Sequence, residues 1–296
     1  MEALQARIAD RLAASIHPEV AAFGQALADE AGASAVLFYG SNLRTGSLEG
    51  VLDFYVLLPG PQQERIWPCV SYHERASTTG ETLRAKVATM SLERFAQAAE
   101  GNRMDTTIWA RFVQPSGLVW ARNDAAKQAV ISAIGSAAQT AARLAAAIGP
   151  NKGEAEDFWR ALFRATYKAE FRVEKPGRED SILSVNTAHF EGLFPIALEA
   201  AGIAFDMADG MIALKFEGDE RACILAWWKR RRRMGKPLNV VRLVKASTTF
   251  DGAARYAAWK IERHTGVSVQ VTDFREKHPL LSAPAVMLDV WRKRGR

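Results

Sequence analysis

The stretch that most restricts how this chain can fold is residues 36–60, VLFYGSNLRTGSLEGVLDFYVLLPG. Two apolar runs, 34–40 and 51–58, have strand length, are rich in Val, Leu, Phe and Tyr, and are separated by Gly and Ser. This pattern reads as two strands joined by a polar connection. Gly40-Ser41 closes the first run, and Asp53 is the single charge in the second. Gly40 has no Cβ, so backbone N–H groups at that turn can approach a phosphate, and Ser41 adds a hydroxyl donor. Asp53 on the neighbouring strand is placed to hold Mg²⁺ against the same phosphates. An anion cradle beside a metal-binding carboxylate is the minimum equipment for nucleotidyl transfer. Taken alone, Gly40-Ser41 equally suits an ordinary strand-ending turn.

Along the rest of the chain, residues 3–29 have helical periodicity (Leu4, Ile8, Leu12, Ile16, then Val20, Phe23, Leu27), with His17-Pro18 as the break between two helices. LRAKVATM (83–90) reads as a third strand, and Ser91 opens the helix after it as an N-cap. SGLVWAR (116–122) reads as another strand, followed by an Ala-rich helix up to Gly149. Residues 151–235 read as mostly helical, with Pro176-Gly177 ending one helix; a new helix follows a Gly-Lys-Pro break, over 236–266. TGVSVQVTDFREKHPLL reads as a short strand and tail. The expected class is α+β: a mixed sheet with flanking helices over 1–150, then a mainly helical, winged-helix-like domain over 151–296.

Composition narrows the partners. The 296 residues carry a formal charge of +6 and a pI near 9.4, a balance that suits polyanions such as nucleotides, nucleic acid or an anionic lipid surface. Cys69 and Cys223 are too few for a disulfide framework or a zinc site, which points to a reducing cytoplasm. No window reaches the length of a membrane-spanning apolar run, and the N-terminus lacks the apolar core of a secretory signal. GxGxxG, the P-loop lysine, HExxH, GxSxG and CxxC pairs are all absent.

The arrangement of Gly-Ser, two apolar strands and an Asp about a dozen residues on resembles the nucleotidyltransferase superfamily of the DNA polymerase β type. Four blocks look more specifically like the mitochondrial-type phosphatidate cytidylyltransferase family: YGSNLRTGSLEGVLDFYV, LRAKVATMSLERF, TTIWARFVQPSGLVW and RLVKASTTFDGAARYAAWKIERHTG. They are short, in order and spread over most of the chain. The resemblance implies CTP and phosphatidate as substrates, CDP-diacylglycerol as product, Mg²⁺ as cofactor, and a peripheral position on the inner face of a membrane. It assigns Gly40 and Ser41 to the triphosphate, Asp53 to the metal, and Lys86 and Arg111 to the phosphates. It also exposes a departure. The superfamily's second acid falls at Tyr55, and the family's later acidic position falls in Val56-Leu57-Leu58-Pro59. Glu49, Glu81 and His73 are the candidate substitutes.

Two cations in that set have plainer alternatives. Lys86 reads equally as an edge-strand lysine reaching to water, and Arg111, between aromatic neighbours, as a stacked surface arginine. His73 falls in what reads as a polar loop, 71–82, and His189, His264 and His278 are scattered. The run WWKRRRRMGK (227–236) sets Trp227 and Trp228 before Lys229, Arg230, Arg231, Arg232 and Arg233, and WRKRGR (291–296) repeats that composition. Aromatics followed by cations suit an interfacial membrane anchor; they also suit nucleic acid, or a solvated helix with its tryptophans in the core. Other expectations stay open: a different acceptor (an RNA end, a protein or a small metabolite), or an inactive relative that binds nucleotide or nucleic acid.

Overall fold

A computed structural model describes residues 1–169, 178–249 and 252–277, together with Ser282 and Ala285. Two helices open the chain, α1 (Glu2–Leu12) and α2 (Pro18–Ala31). His17 caps the second, its Nδ1 accepting the Glu19 N–H at 3.2 Å, and Pro18 sits at the first helical position, where no N–H is needed. The sheet is built from β1 (Ala35–Tyr39), β2 (Leu52–Leu58), β3 (Cys69–Ala76), β4 (Thr82–Ser91) and β5 (Ser116–Ala121), in the order β3-β4-β2-β1-β5. Only β2 and β4 run parallel, so the sheet is mixed. A one-turn helix, α3 (Ser41–Thr45), joins β1 to β2, while α4 (Leu92–Ala99) and α5 (Thr107–Phe112) lie between β4 and β5.

The sheet is buried on both faces, which is why its central strands are apolar almost throughout. Val36, Phe38, Phe54, Val56, Ala85 and Val87 pack with α2 on one face. Leu37, Tyr55, Leu57, Ala88 and Met90 face the other way, into a larger core. That core is organised around α6 (Asp124–Ile148), which also packs on α7 (Ala155–Ala169). The boundary expected near residue 150 therefore falls between two helices of one continuous apolar cluster.

The second half adds α8 (Arg178–Val185), α9 (Thr187–Phe190), α10 (Leu193–Ala200), α11 (Glu220–Thr249), α12 (Ala253–Thr265) and α13 (Asp273–Lys277). It also contains a small antiparallel sheet of β6 (Lys152–Gly153), β7 (Ala204–Ala208) and β8 (Met211–Lys215). The fold is α+β, a five-stranded mixed sheet flanked by helices.

Several expectations change. Residues 71–76 form β3 rather than a loop, so His73 sits on a strand, its Nε2 2.8 Å from Ser71 Oγ. β4 is flanked by β3 and β2, which removes the edge-strand reading of Lys86. Pro237 lies within α11, and no break separates it from the residues before it. The stretch after Gly266 is irregular before α13 rather than a strand. Pro176-Gly177, His278 and the 291–296 tail lie outside the described residues.

Candidate functional site

The register of the sheet builds the site. Tyr39 on β1 pairs with Asp53 on β2, and Asp53 pairs with Lys86 on β4. Registered partners project to the same face, so the three side chains form one row across the central strands. The row lies at the carboxyl end of β1, where the chain turns through Gly40 into α3. Gly40 has φ +94 and ψ −163, a region open essentially to glycine alone. A Cβ placed on it would lie 3.0 Å from Asp53 Oδ2, so the carboxylate fills the space into which a side chain at this position would project. Asn42 holds the loop that follows, donating from Nδ2 to the Ser47 carbonyl at 2.9 Å and the Glu49 carbonyl at 2.8 Å.

Above the row is a cleft of about 230 Å³. Tyr39, Gly40, Ser41, Arg44, Asp53 and Arg111 form one wall, and Tyr167, Ser181, Ile182 and Val185 from α7 and α8 form the other. Arg111 projects from α5, its guanidinium 5.2 Å from the centre of the Tyr39 ring and its Nη1 3.4 Å from Tyr55 Oη. α12 adds cations at the margin. A Cβ on Gly50 would lie 3.1 Å from Arg263 Nη1, and Lys260 is close enough to oppose the charge on Lys86.

The electrostatics are those of one carboxylate in a cationic, partly dry setting. Burial pushes the Asp53 carboxyl above its ordinary value, against the pull of Lys86 and then Arg111. Burial likewise pushes the Lys86 ammonium down; Asp53 opposes this, while Arg111 and Lys260 add to it. The cleft thus presents a turn of backbone amides, a hydroxyl and several cations around a single acid, a set matched to a polyphosphate.

No protein-family model matches this chain, and no curated protein matches its sequence.

Of the residues singled out in the sequence, Gly40, Ser41, Asp53 and Arg111 line the cleft, and Lys86 lies beside Asp53 without lining it. Glu49, Glu81 and His73 are not among the lining residues. No group of three His, Cys, Asp or Glu side chains suited to a metal occurs among the described residues. Tyr55 lies two positions from Asp53 on the same face. It is fully buried among Phe95, Phe112 and Tyr39, at ring separations of 5.2–6.3 Å. Burial raises its phenol above the ordinary value. The position at which the resemblance expects a second acid is therefore part of an aromatic core.

The tryptophans of the basic run are also turned inward. Trp228 is 5% exposed and meets Trp109 edge-on at 6.2 Å, and Trp227 donates its indole N–H to the Gly101 carbonyl at 3.2 Å. Arg231 is buried with them, its guanidinium 4.0 Å from the Trp227 ring and donating to the carbonyls of Gly101 and Arg103. The anchor expected from Trp227, Trp228 and Arg231 is corrected accordingly, and Lys229, Arg230, Arg232 and Arg233 are the cations left exposed. Among the described residues, no helix is long and apolar enough to cross a membrane.

Arg44, Tyr167, Ser181, Ile182 and Val185 were not singled out in the sequence. Arg44 had a signal, because it lies three positions after Ser41, one helical turn on. The α7–α8 wall had none, since only tertiary packing brings it to the cleft.

Proposed function

We infer that the protein is a Mg²⁺-dependent nucleotidyltransferase, and that the reaction is transfer of a cytidylyl group from CTP to phosphatidate at a membrane surface. The observation that carries this reading is the closeness of the Gly40 turn to Asp53 inside a cleft walled by Ser41, Arg44 and Arg111. Amides and cations held before the substrate arrives stabilise charge at a phosphoryl centre without reorganising during reaction. The opposite wall supports an amphiphilic acceptor, because Tyr167, Ile182 and Val185 offer it apolar surface.

Asp53 is the residue that would hold Mg²⁺ against the triphosphate. One carboxylate fits an ion that takes its other ligands from phosphates and water, and the ion's contribution is to neutralise phosphoryl charge. Ser41 and the Gly40–Ser41 amides would receive the β- and γ-phosphates. Arg111, steered by the Tyr39 ring and Tyr55 Oη, would meet the α-phosphate. Lys86 would balance Asp53 from beneath the cleft. A phosphatidate oxygen then attacks the α-phosphorus, the bond to the bridging oxygen breaks, and pyrophosphate leaves. Lys229, Arg230, Arg232 and Arg233 would face the anionic lipid surface.

Tyr55 favours a second reading, a nucleotide- or nucleic-acid-binding protein without catalysis, since the position of the second acid is closed by aromatic packing. A nucleotidyltransferase with an RNA end, a protein or a small metabolite as acceptor is the enzymatic alternative. Purified protein with CTP, Mg²⁺ and phosphatidate vesicles should release pyrophosphate well above an Asp53→Ala control. Release equal to that control with phosphatidate and with an RNA end, a protein or a small metabolite as acceptor refutes the enzyme, and release with CTP only when another acceptor is supplied moves the acceptor assignment.

A further inference from the structure

The row that carries Asp53 does not stop at Lys86. On β3, Tyr72 pairs with Lys86, so Tyr39, Asp53, Lys86 and Tyr72 form one line across four strands on one face of the sheet. Tyr72 stands two strand spacings, about 10 Å, from Asp53. The cleft occupies the Tyr39 side of that line. On the Tyr72 side α12 packs against β3, so closely at its start that a Cβ on Gly252 would lie 2.8 Å from the Tyr72 carbonyl oxygen.

The helix brings rings and cations to that side in alternation. Tyr256 meets Tyr72 at 5.5 Å and stacks with Trp259, their ring centres 6.2 Å apart and their planes 26° apart. The guanidiniums of Arg84 and Arg263 lie 5.6 and 5.4 Å from the centre of the Trp259 ring, and the Lys260 ammonium lies 5.5 Å from that of Tyr256. Tyr72 is buried, Tyr256 and Trp259 are partly exposed, and Lys260 and Arg263 are exposed. Partly wet rings with cations against them form a surface that binds nucleobases by stacking and phosphates by charge. An acyl chain gains nothing from such cations, whereas a flat polar ring does. Arg263 also joins this surface to the phosphate turn. Its Nη1 would lie 3.1 Å from a Cβ on Gly50, and Asn42, next to Ser41, holds the neighbouring Glu49 carbonyl at 2.8 Å.

We propose that Trp259 is the stacking platform for the base of the nucleotide whose triphosphate lies at the Gly40–Ser41 turn. The base takes the place of the exposed Arg263 guanidinium against the indole, and that guanidinium turns across Gly50 to the phosphates. Lys260 faces the ribose and α-phosphate between the two. The inference rests on the reading of the Gly40 turn and Asp53 as a triphosphate site. It places the nucleoside on the α12 side of Asp53 and leaves the α7–α8 wall to the acceptor.

The test is calorimetric titration of the full chain with CTP and with inorganic tripolyphosphate, both with Mg²⁺. The two share the phosphate chain, and only the first has a base. CTP should bind the parent protein about tenfold or more tighter than tripolyphosphate. Trp259→Leu should bring CTP down to the affinity of tripolyphosphate while leaving tripolyphosphate binding as it was, which also shows that the variant is folded. Trp259→Phe, which keeps a ring, should retain a clear preference for CTP. Equal affinity of the parent for the two ligands overturns the proposal, as does failure to bind either. A Trp259→Leu variant that weakens both ligands alike, or neither, also overturns it. Pyrophosphate release with phosphatidate separates this outcome from that of the transfer reading. Release that persists while CTP and tripolyphosphate bind alike removes the base subsite alone; Trp259-dependent CTP binding with no release supports the subsite and removes the transfer.

Discussion

Replacing Gly40 with Ala separates the chemistry of the turn from its folding. At φ +94 and ψ −163 a side chain is strained by about 1–3 kcal/mol, and the added Cβ would sit 3.0 Å from Asp53 Oδ2. That is tighter than nine in ten real Cβ contacts, so the carboxylate or the turn must give by a few tenths of an ångström. Taking about 2 kcal/mol and about 2.1 cal/mol/K per residue of unfolding entropy, a chain of 296 residues should lose about 3 °C in melting temperature. The carboxylate that must give way is the proposed metal ligand, so activity should fall by roughly tenfold, given that about 1 Å of misplacement at a reacting centre can cost on the order of 100-fold in rate. Gly46 supplies the control. It also has positive φ, +66, in the same loop, but nothing lies within 4 Å of an added Cβ. Gly46→Ala should show a similar melting shift and pyrophosphate release within a few-fold of the parent. Thermal melts and pyrophosphate release on the three proteins settle the matter. If Gly40→Ala and Gly46→Ala lose activity equally, or Gly40→Ala keeps full activity, the closeness of turn and carboxylate has no role in catalysis.

Further predictions follow from neighbouring groups. His189 is partly buried, its Nε2 2.9 Å from the Val113 carbonyl, and desolvation, with Arg11 and Arg7 nearby, lowers its pKa to about 4. Its unfolded value is 6.5, so its contribution is fully present above pH 6.5 and is lost as pH falls towards 4. The loss should total roughly 3 kcal/mol, visible as a falling urea midpoint that is flatter in His189→Gln. Because burial raises Asp53 and lowers Lys86, titration of the metal-free protein followed by NMR should place the Asp53 carboxyl above the ordinary carboxylate range and the Lys86 ammonium below the ordinary lysine range. In Asp53→Ala the Lys86 ammonium loses the carboxylate that holds it up and should titrate lower still. Trp228→Ala, which empties a site packed on Trp109, should destabilise by about 3–5 kcal/mol in chemical denaturation while leaving the order of nucleotide preference unchanged.

Local signals carried much of this fold and failed where tertiary packing decides. The strands at Ala35–Tyr39, Leu52–Leu58 and Ser116–Ala121 were legible because strand-length apolar runs end in Gly, Ser or Asn. The N-cap at Ser91 was legible because its chemistry is contained within three residues, and His17-Pro18 was legible as a break, though not as the cap that His17 provides. β3 was not, since SYHERA carries a Ser, a His, a Glu and an Arg and is held by pairing with β4 rather than by its own pattern. Pro237 looked like a break, yet α11 continues through it, and in the turn just before it Gly235 packs so tightly on the Ala169 carbonyl that a Cβ would meet the oxygen at 2.4 Å. The tryptophans looked like an interface because a linear run of aromatics and cations does not show which helix face is covered. The covering comes from Trp109 and Gly101, more than a hundred residues away, and Gly101, at φ +75, has no room for a Cβ, which would lie 2.9 Å from Trp227.

The same distinction bears on the lone acid. From the sequence, Tyr55 is a missing carboxylate; in the fold it is a buried ring whose hydroxyl sits 3.4 Å from Arg111, the cation that faces the cleft. Restoring an acid there should not restore a metal ligand. Tyr55→Asp would place a charge among Phe95, Phe112 and Tyr39 and remove a ring from a packed cluster, both of which destabilise. The expected result is a variant less stable by at least about 3 kcal/mol in denaturant, with no gain in Mg²⁺-dependent CTP binding. Tyr55→Phe keeps the packing and removes only the partner of Arg111 Nη1. It should stay close to the parent in stability and lose part of its pyrophosphate release. If Tyr55→Asp instead tightened Mg²⁺-dependent CTP binding, the position would be a vacant metal ligand, and the view that this cleft relies on Arg111, Arg44 and Lys86 around one carboxylate would be wrong.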